Sequence, residues 1–403
     1  MTNKHKKKQK RKSKQAQPET EFSQKGQRRT IRHNVAANQE KHRLDWQPLL
    51  PDEDGFVADR RIMPLDEQDR RDGLLISAPQ CFDDSMNDAV WQNLADETPF
   101  LLGKVVEVSR GLCRAEVNGK VIVCDVRGIL TAVGTGFTNI LAVGDRVLVQ
   151  MQAEDRGLVE NVLPRRSGLA RADTFDVHLQ QIIAANVDQL LIVAAWRDPH
   201  IWFQMIDEYL IGAERNNLQA IICINKVDLA ESMEEVVTAV SPYQTLNYSV
   251  HFTSAELRIG IEGLRDVLDG RTTVLAGLSG VGKSSLLNAA FPTFQLRTGE
   301  LSQLKSHEGK HTTTQAIMLN LPTTGAVIDT PGIKDMGLSG LHPEDLIIYY
   351  PDVEVIEACK FADCTHSHEP GCKVKEAVGN GRLVDYRLQN YVNLYSRLCG
   401  ADD

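Results

Sequence analysis

The sequence predicts an α/β chain in three folded parts, and three patterns carry that prediction. From about Asp176 to 340, apolar strand-like runs alternate with helical stretches, the arrangement that builds a mostly parallel sheet. From Phe100, short β-rich runs follow one another with no helix between them, which suits a small β-barrel. Beyond 340, three cysteines and two histidines crowd into fourteen residues and a helical stripe follows them. The chain has 403 residues, 42% hydrophobic and 25% charged, enough for the cores of two or three domains. It contains no apolar run of roughly eighteen residues, and its basic start has no apolar stretch behind it. Neither a membrane span nor a secretory signal is therefore expected, and the protein is read as a cytoplasmic monomer.

Residues 1–97 read as a basic, largely disordered arm and linker. The first 43 residues hold nine Lys and five Arg against three Glu, a net +11, while the whole chain stands at -9, which leaves -20 for the remainder. Lys6, Lys7, Lys8, Lys10, Arg11, Lys12, Arg28 and Arg29 show no apolar period. Such a segment repels itself until a polyanion neutralises it, and RNA is the natural one. The same composition also fits a solvated tail. Between Leu44 and Thr98 the charges are mixed and prolines are scattered, so at most short helices are expected.

The barrel is placed at 98–165. Its strands are read at Gly103 to Val108, Leu112 to Val117, Val121 to Val126 and Asp145 to Gln150, with an Asn118-Gly119 hairpin turn. Barrels of this size include OB-folds that bind RNA and also plain packing modules, and these runs fit either. The α/β part is placed at 170–340. Its strands are read at Leu190 to Ala195, Leu218 to Ile224, Tyr248 to Phe252, Thr272 to Ala276, Gln315 to Leu321 and Gly325 to Ile328, with a helix around Trp202 to Glu214. A C-terminal module at 341–403 ends in a helix whose stripe is Val384, Leu388, Tyr391, Tyr395 and Leu398.

The chemistry sits in loops at the ends of these strands. Gly277, Leu278, Ser279, Gly280, Val281, Gly282, Lys283 and Ser284 follow the strand Thr272 to Ala276 and open a helix at Ser285. This is the context of a phosphate-binding loop: glycines turn backbone N–H groups inward, Lys283 reaches the β- and γ-phosphates, and the Ser284 hydroxyl takes Mg2+. Asn225, Lys226, Val227 and Asp228 end another strand. A carboxylate at Asp228 accepts from both the ring N–H and the exocyclic amine of guanine, a donor pair that adenine lacks. Thr253, Ser254 and Ala255 fit the loop that backs the base. Asp329-Thr330-Pro331-Gly332 closes a strand of the same sheet, with Asp329 toward Mg2+ and the Gly332 N–H toward the γ-phosphate.

Residues 295 to 314 form the expected nucleotide-sensitive switch. Thr313 is the favoured third Mg2+ ligand within Gly309-Lys310-His311-Thr312-Thr313-Thr314. Ile333 stands where many GTPases carry a glutamine that orients water, so intrinsic hydrolysis is expected to be slow. His311 is the candidate catalytic group that positions water once a partner rearranges the switch; a solvent-facing histidine is the alternative. Guanine-nucleotide binding without turnover, in an RNA-binding scaffold, is the competing function that Ile333 keeps open. A nucleotide-dependent metabolic enzyme lacks support, because no further acid, base or nucleophile cluster stands out.

The base-recognition loops at Asn225 and Thr253 precede the phosphate loop at Gly277, and Asp329 comes last. This order is rotated relative to an ordinary GTPase. With it, the chain from about Phe100 to Leu398 resembles the circularly permuted GTPases of the ribosome small-subunit-dependent GTPase A family. The resemblance rests on Ala185-Asn186-Val187-Asp188, Asn225 to Asp228, Gly277 to Ser285, Gly309 to Thr314, Asp329 to Gly332 and the cysteine segment. It implies an N-terminal OB-fold, a circularly permuted P-loop G domain and a C-terminal zinc-binding helical module. It also implies GTP turnover stimulated by the small ribosomal subunit, whose rRNA the protein contacts during late assembly. Lys25-Gly26-Gln27-Arg28-Arg29 is similar to the family's basic start, whereas the segment from Leu44 to Thr98 has no counterpart.

Cys359, Cys364, His366 and Cys372 give a C-x4-C-x-H-x5-C spacing, enough for a closed tetrahedral Zn2+ site with no position left for water. Reduced surface cysteines are the alternative on spacing alone; the family resemblance implies the metal. His368 competes as a ligand, although Glu369-Pro370-Gly371 turns the chain away from it toward Cys372. The permutation links the strand ending at Asp329 to this module, so switch state is expected to set how module and barrel grip rRNA.

Overall fold

The computed structural model describes residues 83, 85–109, 112–126, 139–172, 180–294, 316–329, 338, 340–361 and 363–400. All of them lie in the unit Arg60–Asp403. The first described helix, α1 (Asp88–Asp96), falls inside the stretch read as arm and linker. Asn87 caps it, its side chain accepting from the N–H groups of Ala89 and Val90. Trp91 and Ala95 are buried against Leu148 and Leu163, and the Trp91 indole N–H donates to the Pro164 carbonyl at 3.0 Å. The barrel side therefore begins before residue 98.

Five strands close the barrel: β1 (Leu101–Ser109), β2 (Leu112–Val117), β3 (Lys120–Val126), β4 (Arg146–Met151) and β5 (Arg156–Val162). They run in the order β1-β2-β3-β5-β4, and β4 pairs back to β1, the five-stranded Greek-key plan of an OB-fold. Strand β5 was not anticipated, because Gly157 and the charged Glu160 interrupt its apolar run. Alternate residues Val105, Cys113, Ala115, Ile122, Cys124, Val147, Val149 and Val159 fill the interior. Asp145 and Arg165 form a fully buried pair beside the barrel, Nε to Oδ1 at 2.7 Å and Nη2 to Oδ2 at 2.8 Å.

A hairpin of β6 (Gly168–Ala172) and β7 (Gln180–Ala185) leads from the barrel to the α/β part. Next come β8 (Gln189–Ala195), α2 (Phe203–Arg215), β9 (Gln219–Asn225), α3 (Met233–Thr245), β10 (Ser249–Phe252), α4 (Ile261–Leu268), β11 (Thr272–Ala276), α5 (Lys283–Ala290), β12 (Ile317–Asn320) and β13 (Ala326–Asp329). The order is β10-β9-β8-β11-β13-β12, parallel except for β12. Every residue of β8 is buried, as a central parallel strand covered on both faces requires. Two apolar layers flank the sheet, one under α2 and α3 and one under α4 and α5. Strand β12 also meets β1 of the barrel at Ile317 and Glu107, so one sheet runs continuously from the α/β part into the barrel.

The C-terminal module contains α6 (Lys373–Gly379) and α7 (Asp385–Leu398). Leu388, Tyr391 and Leu394 of α7 are buried with Val353, Val374 and Leu383. Val384 caps α7 and is exposed, so the stripe begins one turn later than its spacing suggested. The same helix reaches beyond its own module. Arg387 and Asn390 point to Asp207 on α2, and Tyr386 stacks on Phe203 at 4.2 Å between ring centroids.

Candidate nucleotide site and metal centre

The sequence-selected loops meet at one edge of the sheet because parallel strands end there together. Ala195 pairs with Asn225 and Ile224 with Phe252, while Leu275 pairs with both Leu191 and Asp329. The carboxyl edge of an open α/β sheet is where such folds bind ligands. Three loops, after β9, β10 and β11, are tied together by the buried Asn225. Its Nδ2 donates to the Val281 carbonyl at 2.8 Å, and its Oδ1 accepts from Thr253 Oγ1 and from the Ala255 N–H, each at 3.3 Å. Thr253 and Ser254 are fully buried, and the Thr253 carbonyl accepts from the Val227 N–H at 3.2 Å. These two residues brace the base loop through backbone and side-chain bonds.

The Gly277 to Ser284 loop needs glycine for reasons of space. A Cβ on Gly277 would stand 2.2 Å from the Val193 carbonyl oxygen, and one on Gly282 would stand 2.4 Å from Asn225 Nδ2. Both residues also have positive φ, 138° and 97°, which only glycine adopts cheaply. Gly282 precedes α5 and offers no side-chain cap. The first N–H groups of that helix are therefore available to an anion. Lys283 Nζ donates to the carbonyls of Gly277 and Leu278 at 2.8 and 2.9 Å, which holds the ammonium across the loop. Ser279 and Gly280 are exposed at its lip; Ser284 and Ser285 are half-buried at the start of α5.

Lys226 adopts a left-handed conformation, φ 60°, and its ammonium donates to the Asp198 carbonyl. Asp198 was not singled out from the sequence. Asp228 follows in a single helical turn, Val227–Leu229. Its Oδ1 is buried, yet it has no hydrogen-bond partner among the described residues. A buried carboxylate oxygen left unpaired is costly, and a ligand with paired N–H donors would satisfy it. Asp329 is buried at the end of β13, one strand from the phosphate loop. His311, Thr313, Gly332 and Ile333 lie outside the described residues.

Asn186 and Asp188, part of the segment Ala185 to Asp188, stand at the opposite edge of the sheet and form a joint. Asn186 Nδ2 donates to the Gly144 carbonyl of the barrel at 2.9 Å, and its Oδ1 accepts from the Arg166 N–H at 2.8 Å. Asp188 pairs with Arg166 and accepts from the Thr272 N–H, both at 2.7 Å. Polar residues around an apolar strand gave no sign of this joint, because each bond spans distant sequence.

Cys359, Cys364, His366 and Cys372 bring one ligand atom each to within 4.8 Å of one another. A tetrahedral ion with Zn–S bonds near 2.3 Å sets sulfur atoms about 3.8 Å apart and sulfur and nitrogen about 3.6 Å apart. Cys359 and Cys372 sulfurs are 3.8 Å apart, and His366 Nδ1 lies 3.6 and 3.4 Å from them. The Lys373 N–H donates to Cys359 Sγ at 3.3 Å, a contact that favours thiolate. These four residues fit a zinc ion. His368 is 84% exposed and faces Glu369, which removes it as a competing ligand. Cys113, Cys124 and Cys223 are buried in the barrel and the sheet, and Cys399 is exposed.

Comparison with known proteins agrees with this arrangement. Residues 162–339 match the family model described as RsgA GTPase. A protein of Alkaliphilus metalliredigens named small ribosomal subunit biogenesis GTPase RsgA is 38% identical over 299 residues, covering 73% of this chain and 97% of the relative. The protein of that name from Gemmatimonas aurantiaca is 41% identical over 265 residues, 64% of this chain and 85% of the relative. Among solved structures, YjeQ from Thermotoga maritima superposes with a TM-score of 0.56 at 34% identity, covering 74% of this chain and 99% of that one. YloQ, described as a circularly permuted GTPase, gives 0.53 at 28% identity, covering 75% and 96%.

Proposed function

This chain belongs to the RsgA GTPase family, and from that premise we propose that it is a cytoplasmic, monomeric GTPase of small-ribosomal-subunit biogenesis. It hydrolyses GTP to GDP and phosphate, and docking on the small subunit and its rRNA speeds turnover. The observation that carries the base assignment is the buried Oδ1 of Asp228, which has no hydrogen-bond partner among the described residues, set in a loop tied by Asn225 to the phosphate loop. That carboxylate takes the ring N–H and amine of guanine. Asn225, Lys226 and Val227 shape its loop, and Thr253, Ser254 and Ala255 back the base. The loop Gly277 to Ser284, with Ser285 behind it, cradles the phosphates, and Lys283 turns from the loop carbonyls to the β- and γ-phosphate oxygens.

Ser284, Thr313 and Asp329 would hold Mg2+, which when bound neutralises charge on the phosphates. The Gly332 N–H senses the γ-phosphate. His311 positions the attacking water in the subunit-bound state, since Ile333 has no polar group to offer. The basic arm and the barrel, on which α1 from within the 1–97 stretch packs, face rRNA; the G domain spans 170–340, and the module 341–403 is held by Zn2+. The protein should carry one zinc equivalent, and His368→Ala should keep it. His366→Ala should weaken zinc retention against a chelator by roughly a hundredfold; equal retention in both variants would remove His366 from the ligand set.

The deciding measurement is steady-state phosphate release from GTP and ATP, with and without small subunits, and with large subunits as control. GTP-selective release that rises only with small subunits and vanishes in Lys283→Ala is the expected result. Unstimulated release would withdraw the ribosomal reading in favour of a nucleotide-sensing scaffold. Undiminished stimulation in His311→Ala would remove His311 from catalysis.

A further inference from the structure

At the opposite ends of the parallel strands from the nucleotide loops, the barrel and the G domain enclose a polar cleft of about 620 Å³. Thr272 and Ala326, the first residues of β11 and β13, line it. The length of β11, roughly 13 Å, therefore separates it from the phosphate loop. Its volume lies in the range of small-ligand sites.

The cleft holds four cations, Lys104, Arg146, Arg166 and Arg271, against three carboxylates, Asp88, Glu116 and Asp188. Two arginines are already paired, Arg146 with Asp88 at 2.5 Å and Arg166 with Asp188 at 2.7 Å. Glu116 accepts from Asn320 Nδ2 at 2.7 Å. Lys104 and Arg271 make no ion pair at contact distance among the described residues. Lys104 is half-buried and stands directly across β1–β4 from Arg146, an arrangement in which like charges destabilise a sheet. Burial, and then the Arg146 guanidinium, push the Lys104 ammonium below the usual lysine range.

We propose that this cleft binds a small phosphate-bearing, hydroxyl-rich ligand, its phosphate held between Lys104 and Arg271 and its hydroxyls by Glu116, Asn320 and Thr324. The carboxylates distinguish this ligand from a nucleic-acid strand. A continuous phosphodiester would run past Glu116 and Asp188 and be repelled, whereas a single phosphate with hydroxyl groups uses the cations and the acceptors together. The proposal is independent of what the chain does with GTP.

The test uses the full chain with GDP and Mg2+ filling the nucleotide site. Titration calorimetry with ribose 5-phosphate should give saturable 1:1 binding at millimolar concentration or below, tighter than inorganic phosphate. The double variant Lys104→Ala/Arg271→Ala should lose ten- to a hundredfold in affinity. Its GTP turnover should be unchanged, and its ligand-free melting temperature should be equal or higher, since a strained charge has gone. Absence of saturable binding would overturn the proposal, as would binding undiminished in the double variant. Inorganic phosphate binding as tightly as ribose 5-phosphate would overturn the hydroxyl-reading part. A short oligouridylate that binds through Lys104 and Arg271 while ribose 5-phosphate does not would assign the cleft to RNA instead.

Discussion

Asp228→Asn will lower kcat/KM for GTP by at least about a hundredfold and make xanthosine triphosphate the better substrate. The wild-type carboxylate offers only acceptors, and its buried Oδ1 has no partner among the described residues. Guanine presents two donors to it, and hydrogen bonds to a charged group contribute about 1.5–3 kcal/mol each. The asparagine keeps one acceptor but turns an NH2 group toward the guanine amine, donor against donor. Xanthine keeps the ring N–H and replaces the amine with a carbonyl, which that NH2 satisfies. Losing one such bond, weakening the other to a neutral one and leaving two donors facing each other are together worth a factor of roughly 10² to 10⁴ in rate at limiting substrate, and the half-buried setting favours the lower end. Phosphate release measured with GTP, ATP and xanthosine triphosphate checks this. An unchanged preference for GTP would show that Asp228 does not read the base.

What the sequence disclosed about this site, and what it hid, follows from where each bond partner lies along the chain. Gly277 and Gly282 were legible because a phosphate loop packs its turn into a few consecutive residues; the close approaches to Val193 and Asn225 explain why those two positions reject a side chain. Cys359 to Cys372 were legible for the same reason. Strand β8 announced itself as an unbroken apolar run, since it is covered on both faces. By contrast, β5 was missed because Gly157 and Glu160 break its pattern, whereas β12 lies inside the run read as Gln315 to Leu321 and spans four of its residues, Ile317–Asn320. Helix α1 was hidden in a polar stretch, since Trp91 and Ala95 alone are fully buried on it. Nothing local marks Asp207, whose partners at 243, 350, 387 and 390 come together only in the folded chain.

That aspartate leads to the second large effect, because it fastens the C-terminal module to the G domain. Asp207 lies on α2 and is fully buried. Its Oδ1 accepts from Tyr243 and from Arg387, at 2.8 and 2.5 Å; its Oδ2 accepts from Tyr350 and Asn390, at 3.1 and 2.6 Å. Arg387 also forks onto Asp352 at 2.7 and 2.8 Å and lies 4.4 Å from the Tyr350 ring centre. Arg387→Met keeps the apolar stem and strands the buried carboxylate, which should cost about 3–5 kcal/mol in chemical denaturation. Burial raises the Asp207 pKa above 3.8 and Arg387 is the first influence pulling it back, so the variant raises it further. A carboxyl whose folded pKa exceeds its unfolded one loses stability as pH rises between the two values. The deficit of Arg387→Met relative to wild type should therefore be smaller at acid pH than at neutral pH. Adding Asp207→Asn removes the charge while keeping an acceptor for the tyrosines, so the double variant should be more stable than Arg387→Met alone and lose that pH dependence. A deficit unchanged across pH, and undiminished in the double variant, would mean that the cost comes from the Arg387–Asp352 fork and not from a stranded Asp207. If module and G domain act together on the ribosome, Arg387→Met should also retain basal GTP turnover while losing part of its stimulation by small subunits. That outcome would make this buried cluster the mechanical link between the two.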